Sequence, residues 1–166
     1  MSITYHERPG VYSDYDASSV SATGAGRKVV ALIGTSTAAA GLYTVTSYAS
    51  GAATFGADSQ LTKMLKLAYQ NGAGTVLASP VSTDTLDKYQ AAWNLVLAEK
   101  TASFIVIGSA QETVQTGLKS AIEEASKQKG ECIGIVGLSQ PTVSAMTTRA
   151  TALNSERLVL VGPDVY

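Results

Sequence analysis

Five short apolar runs rich in β-branched residues recur along the chain: Val29–Ile33, Thr75–Ser79, Phe104–Ile107, Ile133–Val136 and Leu158–Val161. Hydrophobicity within each is continuous rather than alternating, so each predicts a strand covered on both faces, as in a parallel sheet sandwiched by helices. This pattern constrains the fold more than any other feature.

The segments between the runs carry helical spacing. Asp58 or Ser59 can cap a helix whose Leu61, Met64, Leu65 and Ala68 share a face and which stops at Asn71-Gly72. Asp84 can cap the next, with Leu86, Tyr89, Trp93, Val96 and Leu97 as its inner stripe. Ser109 and Glu112 read as a capping box ahead of Val114, Leu118, Ile122 and Ala125, with Lys127 and Lys129 before the stop at Gly130. Pro141 can start the last helix, with Val143, Met146, Ala150 and Leu153 facing inward. Trp93 and the methionines sit at helical spacing and read as core.

Strand alternating with helix predicts an α/β three-layer domain over residues 28–166, with a mostly parallel sheet of about five strands. Leu42–Tyr48 departs from the repeat, because it alternates with period two. It reads as an extra edge strand or an extended loop, followed by a flexible Ala49–Gly56.

Residues 1–27 differ in kind. Pro9-Gly10, three tyrosines (Tyr5, Tyr12 and Tyr15) and a small-residue stretch ending at Gly24-Ala25-Gly26 show no helical period and few aliphatics. A tail meant only to stay solvated would not spend aromatics this way, so the segment reads as an extended arm and linker that orders against a partner surface.

The 166 residues suit one domain. Twelve Lys and Arg against thirteen Asp and Glu leave a net charge of −1, which removes electrostatic grounds for a nucleic-acid or membrane partner. No run approaches the roughly 18 apolar residues of a membrane span, and the first ten residues lack the apolar run of a signal peptide. The chain is therefore expected to be soluble and made in the cytoplasm. Its charged fraction is 15%, against about 25% in an average soluble domain. The missing charge is replaced by 24 Ala, 15 Gly, 18 Ser and 18 Thr, a surface that suits either a quiet monomer or a packed assembly subunit.

Little chemistry is available. The single Cys132 lies in an apolar run and reads as a small buried hydrophobe, and the single His6 lies in the arm, so a histidine-based triad within the domain is excluded. Gly34-Thr35-Ser36-Thr37-Ala38-Ala39-Ala40-Gly41 has the composition of a phosphate loop, but Leu42 follows where a P-loop needs Lys-Ser/Thr. A dinucleotide fingerprint is missing too, since Gly24-Ala25-Gly26 precedes the first strand. Ser36 lacks the flanking glycine of a nucleophile elbow and an activating histidine. Asp164 is a lone carboxylate, and the other acids fall on helices or caps. No catalytic, metal or cofactor residue is assigned, and no cofactor is expected. The competing reading is a small ligand- or nucleotide-binding enzyme domain using the Thr35–Gly41 loop.

A series of short motifs in order carries a resemblance. Glu7-Arg8-Pro9-Gly10-Val11-Tyr12, a small-residue linker, the strand into Gly34-Thr35-Ser36, Thr46-Ser47-Tyr48 leading to Phe55-Gly56, and Asn71-Gly72-Ala73-Gly74 before a strand resemble the N-terminal part of contractile phage tail sheath proteins. Phe104–Ser109 and Cys132–Leu138 flanking a helix resemble that family's α/β domain. The resemblance implies a structural, non-enzymatic subunit of a phage or phage-like particle. Such subunits stack as hexameric rings in a helix around the tail tube protein, meet the baseplate, and contract to drive the tube through the host envelope. It places the protein in the virion after synthesis in the bacterial cytoplasm. It also makes Tyr5, Arg8, Pro9, Gly10, Val11, Tyr12 and Tyr15 an inter-subunit arm that adds a strand to a neighbour. Family members are usually considerably longer, so the stop at Tyr166, just after a strand, is expected to truncate the domain at its C-terminal end.

Overall fold

The first apolar run becomes the centre of the sheet. In the computed structural model, which describes residues 29–139 and 142–162, β1 (Val29–Thr35) lies between β3 (Val76–Val81) and β4 (Ala102–Ile107), parallel to both. Next come β5 (Ile133–Gly137) and β6 (Leu158–Val161), also parallel, giving the order β2-β3-β1-β4-β5-β6. The expected arm residues Tyr5, Arg8, Pro9, Gly10, Val11, Tyr12 and Tyr15 lie outside the described residues, as does the expected helix start Pro141.

Among the described residues the sheet has six strands, where the sequence predicts about five and either an extra edge strand or a loop. The period-two segment supplies β2 (Tyr43–Val45), an edge strand antiparallel to β3. The segment expected to be flexible is instead α1 (Tyr48–Phe55), whose N-cap Ser47 accepts a hydrogen bond from the Ser50 amide. Its helical period is hidden because seven of its eight residues are small or surface-facing, and one anchor, Phe55, holds it down. That ring is fully buried and meets Tyr43 edge-on at 5.3 Å.

The remaining helices are α2 (Gln60–Gln70), α3 (Leu86–Glu99), α4 (Glu112–Lys127) and α5 (Val143–Leu153). Ser59 caps α2, accepting from the Thr62 amide at 3.1 Å. Asp84 does not cap α3. Thr85 takes that position and spends its hydroxyl on the Asp87 carboxylate, which holds that acid below its ordinary range. The capping box also fails: Gln111 is the N-cap of α4, which puts Glu112 at the first helical position, while buried Ser109 accepts from the Gln111 amide.

The sheet has a core on each face. On one, Ala31, Ile33, Ile105, Ile107 and Val136 meet Tyr89, Trp93 and Val96 of α3, Val114, Leu118 and Ile122 of α4, and Leu153 of α5. On the other, Leu32, Val76 and Ala78 meet Phe55 of α1 and Leu61 and Leu65 of α2. The predicted inner stripes hold for α2 to α4, with Leu86 as the exception at the rim of α3. They fail for α5, where Leu153 is buried but Val143 is 80% exposed and Ala150 lies on the surface. That helix packs chiefly on α4, so only its last turn reaches the core.

The expectation that every strand is covered on both faces holds for β3, buried throughout, but not for β5 and β6. Ile133, Val159 and Val161 are exposed on the face that carries α1 and α2. The cause is topological. Right-handed crossovers that step one way across a sheet lay their helices on one face, and steps the other way use the opposite face. The step from β1 back to β3 carries α1 and α2, while the steps to β4, β5 and β6 carry α3, α4 and α5. Among the described residues no connection crosses β5 or β6 on the α2 side.

Two predictions follow from this packing. A Cβ at Gly134 would lie 2.7 Å from Ile122 Cδ1 and 2.5 Å from Leu158 Cδ1, so Gly134→Ala is expected to cost about 1–3 kcal/mol by overpacking. Ile122→Val removes one of the two offending methyls, so the double variant should be less destabilised in urea titrations than the sum of the singles. Tyr89 is fully buried, its hydroxyl has no partner, and burial with the nearby Asp84 charge raises its pKa above the ordinary 10.0. A raised acid pKa in the folded state gives stability that is present below pH 10 and lost as pH climbs above it. Tyr89→Phe should therefore stabilise the fold by about 1 kcal/mol at neutral pH and reduce the alkaline loss, as read by chemical denaturation at several pH values.

Candidate functional site

An open α/β sheet binds ligands at the carboxyl ends of its strands, where neighbouring strands send their connections to opposite faces. Here that point lies between β1 and β4, and the loops meeting there are Thr35-Ser36 and Gly108-Ser109. A glutamine fills it. Gln60, the first residue of α2, accepts from the Thr35 amide at 3.0 Å and its hydroxyl at 3.2 Å through Oε1, and donates from Nε2 to the Gly108 carbonyl at 2.7 Å. Gly108 must be glycine for this contact, since a Cβ there would sit 2.6 Å from the Gln60 amide.

The Thr35–Gly41 loop is tied inward as well. The Ser36 amide donates to the Val81 carbonyl at 3.0 Å, and the Ala38 amide to Ser36 Oγ at 3.1 Å. Ser36 Oγ itself donates to the Phe55 carbonyl at 2.8 Å. Ser79 Oγ donates to the Gly41 carbonyl, and the Tyr43 hydroxyl to that of Ala39. A phosphate cradle needs successive amides turned toward the ligand. Those of Thr35, Ser36 and Ala38 are already spent, and the Ser36 hydroxyl is a structural clamp rather than a poised nucleophile.

An open cavity of about 510 Å³ remains beside this loop, lined by Thr35, Ser36, Thr37, Asp58, Ser59 and Gln60. Its helix N-terminus is capped by Ser59, and the acidic Asp58 is part of the lining, which disfavours an anion there. Among the described residues there is no cluster of three His, Cys, Asp or Glu side chains that could hold a metal, and no helix long and apolar enough to cross a membrane. Cys132 is buried and its thiol is pushed up by desolvation, as a small core hydrophobe would be.

A second glutamine joins the next pair of loops. Gln115 is fully buried on α4 and donates from Nε2 to the carbonyls of Ser109 at 3.2 Å and Gly137 at 2.7 Å. Sequence reasoning passed over both glutamines. A signal existed for Gln115, which lies three residues before Leu118 and so falls on the apolar face of its helix. None existed for Gln60, whose position beside an N-cap is ordinary for a polar residue. What the carboxyl edge offers is a welded seam between α2, β1, β4 and β5.

Comparison with known proteins follows the same line. No family model matches the chain. Over 117 residues, 66% of its length, the chain is 29% identical to the tail sheath protein of Mycobacterium phage Bxz1, of which it covers 20%. Its fold matches a chain in the contracted helical sheath of the anti-feeding prophage, with a TM-score of 0.62 at 19% identity, over 97% of this chain and 46% of that one. It matches a chain in the baseplate of the same particle with a TM-score of 0.64 at 18% identity, over 97% of this chain and 48% of that one. The chain is thus similar to contractile tail sheath proteins, and spans a fifth of the curated relative and under half of the solved chains. The comparisons lend no support to the reading of the Thr35–Gly41 loop as a nucleotide site.

The seam makes its own prediction. Gln60→Ala leaves the Thr35 amide and Gly108 carbonyl without their partner and is expected to cost about 1–3 kcal/mol. In Gln60→Glu the ionised carboxylate would face the Gly108 carbonyl in place of a donor, whereas its protonated form can donate. That raises the folded-state pKa of the new acid. Its penalty should be full at neutral pH and relieved as pH falls into the carboxylate range, measured by denaturation across pH.

Proposed function

We propose that this chain is the α/β domain of a contractile tail sheath subunit, preceded by a segment that links it to identical neighbours. The observation that carries the reading is a fold match spanning 97% of the chain to a chain of a contracted sheath, joined to sequence similarity with a tail sheath protein. Hexameric rings stacked in a helix, contact with a tail tube and baseplate, residence in the virion after synthesis in the host cytoplasm, and a structural rather than enzymatic role all belong to this proposal.

Physical features of the domain suit such work. Contraction asks subunits to rotate against one another without changing internally. A sheet with a core on each face, and loops cross-tied by Gln60 and Gln115, moves as one body. Connection between moving bodies then falls to Tyr5, Arg8, Pro9, Gly10, Val11, Tyr12 and Tyr15. An extended segment joins a neighbour's sheet through main-chain hydrogen bonds, which tolerate rotation of the body behind a linker. Among the described residues β6 is an edge strand paired only with β5, and β2 is the edge strand on the other side. The 15% charged fraction fits a surface repeatedly packed against copies of itself.

Immunogold electron microscopy tests the assembly directly. Antibodies raised against residues 29–162 should decorate the outside of contractile tails along their length, in both extended and contracted particles. Label absent from tails, or confined to one end, would overturn the sheath reading. Deleting residues 1–20 from the native gene product should abolish helical polymers while the domain still unfolds in one cooperative transition.

A further inference from the structure

The face of the sheet that carries α2 ends abruptly at β4. Beyond it Ile133, Val159 and Val161 are 36%, 48% and 49% exposed, and Ile135, like Val106 at the border on β4, is only partly covered. These side chains alternate with the buried Val136 and the inward Leu158 and Leu160, so they form one continuous apolar surface. Along its border with α2 this surface deepens into a cavity of about 400 Å³ lined by Met64, Val106, Ile135, Leu138 and Val161. None of the described connections can cover it, for the reason of handedness given above. The occupant must come from elsewhere.

We propose that in the unassembled subunit this face is covered by the chain's own N-terminal segment, residues 5–15, with Tyr12 or Tyr15 seated in the cavity beside Met64. Reach is the first argument. Thirteen residues separate Tyr15 from Val29 at the foot of β1, and extended they span about 45 Å. The lateral distance from β1 to β6 is three strand spacings, about 14 Å, and a strand of this sheet runs about 20 Å. The tether spans both with slack.

Chemistry is the second argument. The uncovered surface offers apolar side chains and no charge, and the segment from Pro9 to Ser13 is likewise uncharged and brings Val11 and Tyr12. Concentration is the third. A flexible linker of this length holds its segment at an effective concentration in the millimolar range, which outcompetes a second copy at the micromolar levels of a free subunit. The inference does not rest on the sheath reading, since it concerns a single chain in dilute solution.

Photo-crosslinking tests it on the whole chain. With benzoylphenylalanine in place of Tyr12, irradiation should give crosslinks within one chain to peptides containing residues 133–138 and 158–161, in a yield independent of dilution. Val159→Glu, an exposed position whose change leaves the core intact, should lower that yield several-fold while leaving the melting temperature within a degree or so of the parent. Crosslinks to α3, α4 or α5, no crosslink, or a product of dimer mass that fades on dilution would each overturn the proposal. The last would assign the face to a second copy instead.

Discussion

The parallel pairing of β1 with β3 on one side and β4 on the other is the constraint on which the domain depends. A strand in that position has no edge and no free face, so its residues must be apolar on both sides: Ala31 and Ile33 point toward α3, and Leu32 toward α2. Both cores therefore share one strand. Loss of packing on either face is felt at the other through β1, which is why a domain with two hydrophobic clusters behaves as one body. The same centrality brings the carboxyl ends of β1 and β4 side by side and creates the crevice where a ligand would ordinarily bind.

That crevice shows how a fold can keep the geometry of a binding site while spending its chemistry on cohesion. Gln60 has an acceptor and a donor on one planar group, so a single side chain satisfies the Thr35 amide and the Gly108 carbonyl across the gap between two strands. Gln115 ties the next pair of loops by its donor alone, Nε2 reaching the carbonyls of Ser109 and Gly137. Polar groups at strand ends would otherwise need water or a ligand. An amide can close such a pair without bringing in a charge, which fits a chain short of charged residues.

Much of this architecture was legible because β-branched runs and apolar helical stripes are local signals. All five runs became strands, and Leu61, Leu65, Tyr89, Trp93, Val114, Leu118 and Ile122 are core as their spacing requires. What escaped depends on partners distant in sequence. The eight residues of α1 carry one anchor and no stripe, so its helicity comes from Phe55 packing against Tyr43 and from the Ser47 cap. Gln60 looks like a surface residue until Gly108, 48 positions later, is brought against it. Ser109 spaced three from Glu112 matches a capping box, yet burial of Ser109 at the end of β4 delays the helix by two residues.

The most instructive departure is the uncovered half of one face, because it was foreseeable from topology but not from composition. Continuous apolar runs at 133–136 and 158–161 demand cover on both sides, and the handedness of crossovers forbids the chain's own connections from supplying it on the α2 side. A further parallel strand beyond β6 would not help, since its connecting helix would again fall beside α5. Cover has to arrive from a segment that does not step between neighbouring strands. A fold built this way carries, by the chirality of its own connections, an apolar seat for an extended segment. The residues of β5 and β6 are selected as if that seat were filled.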